Sequence, residues 1–225
     1  MKTQLILTGL LFSSMLLAAN FGELNEAAEK AAKEKDFVTA EAKYAEALES
    51  ASDSAQKTKA ILGKFEAMRG QKRIGDAEKF LLACVEDESI QERDARHMLN
   101  TLAGTMLWWK GREDRAMELL QQAQNCKCPA TDNVYFRTYY YMANLYSKKG
   151  DPQAVIDVLE NVLKVKGQHP ANLYTAHRMI GGAYEKLGDP EKALEHYRLA
   201  LENGKKVKYK FDYSQAEKEV ERLSK

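Results

Sequence analysis

The sequence predicts an all-α protein, a solenoid of about five helical hairpins closed by a C-terminal capping helix. Three observations carry that expectation. Ala, Glu, Lys and Leu recur throughout the 225 residues and only four are Pro, the composition of a largely helical chain. One pattern recurs in "KDFVTAEAKYAEAL", "IGDAEKFLLACV", "GREDRAMELLQQA", "GDPQAVIDVLENVL" and "GDPEKALEHYRLAL". The same turn chemistry, Gly-Asp-Pro, appears at Gly150 and again at Gly188.

The five segments align on Ala40, Ala77, Ala116, Val155 and Ala193, at intervals of 37, 39, 39 and 38 residues (77−40, 116−77, 155−116, 193−155). A large side chain follows each, Tyr44, Leu81, Leu120, Leu159 and Tyr197, and then a small or short one, Ala47, Cys84, Ala123, Val162 and Ala200. Near-constant spacing of this length marks stacked units that share one continuous core. Their borders fall near residues 21–54, 55–90, 91–130, 131–169 and 170–204.

Each unit reads as two helices. In the last, the first helix ends at Leu187 and Gly188 supplies the left-handed residue that closes it. Asp189 caps the second helix, and Pro190 fits its first position, where no amide donor is needed. Small residues at Ala28, Gly104, Ala143 and Gly181 mark where the second helix approaches the first. After residue 204, "YSQAEKEVERLSK" places Tyr213, Ala216, Val220 and Leu223 on one face, so residues 205–225 are read as the cap of the stack.

The first 19 residues stand apart. Lys2, an apolar run from Leu5 to Leu17 and the pair Ala18-Ala19 have the layout of a secretory signal peptide, cut after Ala19. The expected location is therefore secreted or periplasmic, the alternative being an uncleaved membrane anchor. Cys84, Cys126 and Cys128 are odd in number and match no disulfide-dense scaffold, which leaves their pairing open. A zinc site wants four ligands, and "NCKCPA" has no second pair to complete one.

The order "IGGAYEKLGDPEKALEHYRLAL" resembles the tetratricopeptide repeat, with His177 in place of the family's Trp and Tyr197 in place of its Phe. The resemblance spans roughly residues 21–204 and is weakest in the second unit. It implies a right-handed solenoid whose first helices line a concave groove. The longer period implies lengthened second helices or inter-unit loops, "QNCKCPATD" and "KVKGQHPAN" being the candidate insertions.

By that resemblance, the groove-facing residues of the third unit are Thr101, Leu102, Thr105, Trp108 and Trp109. Those of the fourth are Tyr140, Tyr141, Asn144, Ser147 and Lys148, and those of the fifth Arg178, Met179, Gly182, Glu185 and Lys186. In the run Tyr139-Tyr140-Tyr141, helical geometry points adjacent side chains about 100° apart. Tyr139 is then assigned to the core and the other two to the groove. Leu102, Thr105, Trp108, Trp109, Tyr140, Tyr141, Asn144, Lys148, Arg178 and Glu185 are the expected partner-binding residues. Large aromatics beside Arg and Asn are the types that anchor peptides. The competing assignment packs Trp108 and Tyr141 against the neighbouring unit. The carboxylate clamp of the family, Lys-x3-Asn on an early first helix, is absent: the fourth unit has Tyr140 before Asn144, and the first has Asn25 before Glu29.

Chemistry is not indicated. "GQKRIGDA" lacks the Lys-Ser/Thr of a phosphate loop, and the four histidines show no paired helical spacing. His177 is placed in the core and His196 on a wet face. A net charge of +1 gives no reason to expect a nucleic-acid partner. The sequence thus points to a non-catalytic scaffold or adaptor for a protein or peptide, without cofactor or metal and without stable membrane insertion after signal cleavage. Alternatives are a cell-envelope assembly or chaperone component, and a receptor stacking glycans or small molecules on its aromatics.

Overall fold

A computed structural model describes residues 20–126 and 133–225. The segment read as a signal peptide lies outside the described residues, as does Cys128 with most of the "QNCKCPATD" insertion. Eleven helices are present among the described residues. Ten form five hairpins: α1 (Phe21–Lys33) with α2 (Phe37–Ser50), α3 (Ser54–Gly70) with α4 (Ile74–Glu86), α5 (Arg93–Trp109) with α6 (Glu113–Asn125), α7 (Asn133–Lys149) with α8 (Pro152–Leu163), and α9 (Pro170–Lys186) with α10 (Pro190–Lys205). The last helix, α11 (Ser214–Leu223), packs on α10.

The turn inside each hairpin is built the same way five times. Lys35, Lys72, Gly111, Gly150 and Gly188 hold it at φ of 63°, 63°, 70°, 76° and 77°. The next amide then reaches back to the preceding helix: Asp36 to the Ala31 carbonyl, Arg73 to Met68, Arg112 to Leu107, Asp151 to Tyr146 and Asp189 to Tyr184, all at 2.9–3.1 Å. This Schellman closure satisfies carbonyls that the helix end would otherwise orphan. Asp36, Asp151 and Asp189 then cap the second helix through their side chains. In the second and third units Arg73 and Arg112 stand there instead, without a side-chain cap. Arg73 pairs with Glu41 and Asp76, and Arg112 joins Lys110 on the buried carboxylate of Glu78.

Within the hairpins, the repeated small residues are where backbones meet. Ala28, Ala40, Ala47, Ala77, Ala116, Ala143, Ala193 and Ala200 are fully buried. A Cβ on Gly104 would lie 2.8 Å from Leu120 Cγ, and one on Gly181 would lie 2.9 Å from the Tyr197 ring. Phe65 occupies this position in the second unit. That substitution is why the repeat is hardest to recognise there.

The added length sits only partly where the long period suggested, in inter-unit connections but not in the second helices. The first helices of units two to five each have 17 residues, whereas α4, α6 and α8 have only 13, 13 and 12. The second helices are not lengthened, α10 with 16 residues excepted. Inter-unit connections such as 164–169 supply the rest. A longer first helix lengthens the groove wall directly.

One core runs through units two to five, from Ile61 and Phe65 through Leu81, Leu99, Leu120 and Leu159 to Ile180. Between the third and fourth units it encloses polar groups. His97 Nδ1 lies 2.8 Å from the Ala123 carbonyl, which can only accept, so this nitrogen donates. Its Nε2 is then free to accept from Thr138 at 3.2 Å, and Thr138 lies 2.6 Å from Thr101. At the far end Tyr174, Ala200 and Ala216 bury α11, with Phe211 and Tyr213 against them.

Candidate groove and its aromatic ladder

The tyrosine run divides as its helical phase dictates. Tyr139 is 4% exposed and its ring lies 4.5 Å from that of Tyr135 in the core. Tyr140 and Tyr141 are half-buried and touch each other at 5.2 Å. Tyr141 lies 5.0 Å from Trp108, which lies 4.8 Å from Trp109, while Phe136 continues the row 5.9 Å beyond Tyr140. Five rings therefore form a ladder across α5 and α7. Tilted and edge-to-face contacts of this kind hold aromatic rings in fixed orientations. Trp109 at its end is 71% exposed.

One cleft borders the ladder at Trp109 and another at Tyr140. The first, about 570 Å³, is formed by α3, α4 and α5 with Arg137 of α7. Leu102, Thr105 and Trp109 line it, together with Met106, Ile74, Glu66, Arg69 and Lys110. The second, about 310 Å³, is lined by α7, α8, α9 and α10 with Gln215 of α11. Tyr140, Asn144 and Arg178 line it, with Ser147, Met179, Lys186 and Gln215, above a floor that includes Tyr197.

Several expected binding residues are placed differently. Thr105 is only 9% exposed, so it forms floor and offers little to an occupant. Trp108 and Tyr141 pack on each other across adjacent units, so the neighbour-packing assignment accounts for one face of each ring. Lys148 is exposed outside both clefts and pairs with Glu113 of the preceding unit. Glu185 is taken up internally: it accepts from Tyr197 Oη at 2.8 Å and from Arg222 of α11. Burial works to raise its pKa, but the hydrogen bonds from Arg222 and Tyr197 outweigh that and hold it low. Asn144 donates to the Tyr140 carbonyl at 2.7 Å, which fixes its amide at the cleft wall.

Two contributors were missed. Arg137 lies one helical turn before Tyr140 and Tyr141, a spacing that could have flagged it. Gln215 comes from the capping helix, which no repeat register reaches.

His196 is not on a wet face either. It is half-buried, and its Nδ1 lies 3.2 Å from His177 Nδ1 across α9 and α10. Burial, then the neighbouring His196, push His177 down to about 4. Burial lowers His196 as well. No group of three or more His, Cys, Asp or Glu able to hold a metal occurs among the described residues. Cys84 is buried with its thiol raised to about 11 by burial first, and neither it nor Cys126 is paired. No helix among the described residues is long and apolar enough to cross a membrane.

Residues 175–203 match the family model described as tetratricopeptide repeat. No curated protein sequence matches the chain. Solved structures do. A crystal structure of MamA protein is 22% identical, with 85% of this chain and 96% of that one covered and a TM-score of 0.59. BtubC (BKLC) from P. vanneervenii is 20% identical, with 81% and 78% covered and a TM-score of 0.64. TTC0263, a thermophilic TPR protein in Thermus thermophilus, is 13% identical, with 91% and 98% covered and a TM-score of 0.50. At such identities the likeness concerns fold alone. The fifth unit thus matches a tetratricopeptide repeat, and five identically closed hairpins give the chain the helical-repeat fold of these structures.

Proposed function

We propose that this protein is an exported, non-catalytic scaffold that holds a segment of a partner protein in its concave groove. The observation that carries the reading is the aromatic ladder, five rings in mutual contact ending in a Trp that is 71% exposed. Interfaces gain most of their affinity from a few such anchors in semi-enclosed positions. The clefts beside Trp109 and Tyr140 provide room for side chains that flank an apolar stretch. The exported location rests on Lys2, the Leu-rich run and Ala18-Ala19. N-terminal sequencing of protein from the native cell should read from Asn20; an intact Met1 in the membrane fraction would mean an anchor.

The test is capture of partners from a native extract, identified by mass spectrometry, beside thermal melts of the same variants. Tyr140→Ala and Trp109→Ala should melt nearly as the parent does, yet lose captured proteins by about 2 kcal/mol or more in affinity. Tyr139→Ala should instead cost roughly 3–5 kcal/mol of stability, because it opens a cavity in the core. If all three unfold alike, or capture is unchanged by the groove variants, the ladder is structural and the proposal fails.

A further inference from the structure

We infer that the groove takes an internal acidic segment, one in which Asp or Glu side chains flank apolar residues. The inference rests on the proposed groove function and names its partner's chemistry. It follows from what the charges along the groove are already doing. Glu66 is paired with Arg69, and Lys110 is committed to Glu78. Glu185, the carboxylate of α9 on this side, is occupied by Arg222 and Tyr197. What remains at the two clefts is positive. Arg137 and Arg178 make no hydrogen bond or ion pair with any described residue. Lys186 reaches only Ser147 Oγ, at 3.3 Å.

The placement matters as much as the sign. Arg137 borders the cleft that holds Trp109, and Arg178 with Lys186 borders the cleft that holds Tyr140. A segment laid across Trp109 and Tyr140 would bring side chains on both sides of that stretch to a guanidinium. Guanidinium recognises carboxylate with two parallel hydrogen bonds. In a partly enclosed cleft such a contact gains over its value in open water. A nucleic acid would also bring negative charge to stacked rings. Three cations without a carboxylate partner among the described residues, in a chain of net charge +1, are too few for the long run of phosphates it carries.

The test uses an array of short peptides of balanced composition, each tethered by its C-terminus so that no terminal carboxylate is free. It is probed with the purified chain at low and at high salt. Bound peptides should be enriched in Asp and Glu beside aromatic or aliphatic residues. Replacing those acids by Asn and Gln should weaken binding about tenfold, as should Arg137→Gln or Arg178→Gln in the protein. High salt should act in the same direction. Both Arg variants should melt as the parent does, since neither side chain has a partner to lose among the described residues. Neutral or basic binders, or Arg variants that bind unchanged, would overturn the inference and leave the groove function standing. A single-stranded oligonucleotide that outcompetes every peptide would overturn it too. An array with no bound peptide would remove both.

Discussion

Acidification should weaken the fifth hairpin at a higher pH than it releases the lowered carboxylates Glu29 and Glu202, through the contact between His177 and His196. Their Nδ1 atoms lie 3.2 Å apart, so one must carry the hydrogen and the other the lone pair. Protonating both would set two N–H groups head to head in a half-buried site. His177 falls from an ordinary 6.5 to about 4 in the fold, by burial first and His196 second. The neutral form is thus favoured in the native state, and the unfolded chain binds more protons as pH falls. The stabilisation is complete above about pH 6.5 and is lost as pH falls towards 4. Its upper limit is ~3 kcal/mol. Because the side chain is only half-buried, solvent screens part of this, and ~1–2 kcal/mol is the expected loss. His196, also lowered by burial, adds in the same direction.

The assay is urea unfolding of the parent and of His177→Gln in steps from about pH 7.5 to about pH 4.5. Glutamine keeps a donor for His196 and does not titrate. The parent should lose stability between pH 6.5 and 5, and the variant should stay flatter there. Carboxylates such as Glu29 and Glu202, lowered chiefly by their hydrogen bonds to Lys59 and Lys206, fail only at lower pH, so the window is diagnostic. Parallel curves for the two proteins between pH 6.5 and 5 would refute the argument.

Two further outcomes test the repeat architecture. Lys35→Gly and Lys72→Gly should each stabilise the protein by roughly 0.5–1 kcal/mol in chemical denaturation, since lysine holds φ of 63° at sites where three other units use glycine. Ala193→Leu and Ala47→Leu should each cost roughly 1–3 kcal/mol in thermal melts, because both positions are fully buried where helices touch.

Legibility follows from whether a contact is repeated. The small residues at Ala116 and Ala193 and the turns at Gly150 and Gly188 recur because every hairpin meets the same steric demand, and repetition is what a sequence displays. The second unit was obscure for a definite reason: Phe65 fills the place of a small residue, and Lys72 occupies a left-handed position without announcing it. The extra turn of the first helices was illegible because a continuing helix needs no punctuation. Within the groove, helical phase separated Tyr139 from Tyr140 and Tyr141, but depth is set by neighbours, so Thr105 was read as more accessible than it is. Contacts made only once were invisible. The carboxylate of Glu185 is claimed by Arg222 from a helix outside the repeat, and His196 meets His177 across a hairpin with no sequence spacing to signal it. These single contacts, with the meeting of Trp108 and Tyr141, decide which groove charges and rings stay exposed. The repeat therefore encodes the solenoid, and the departures from it set the chemistry of its groove.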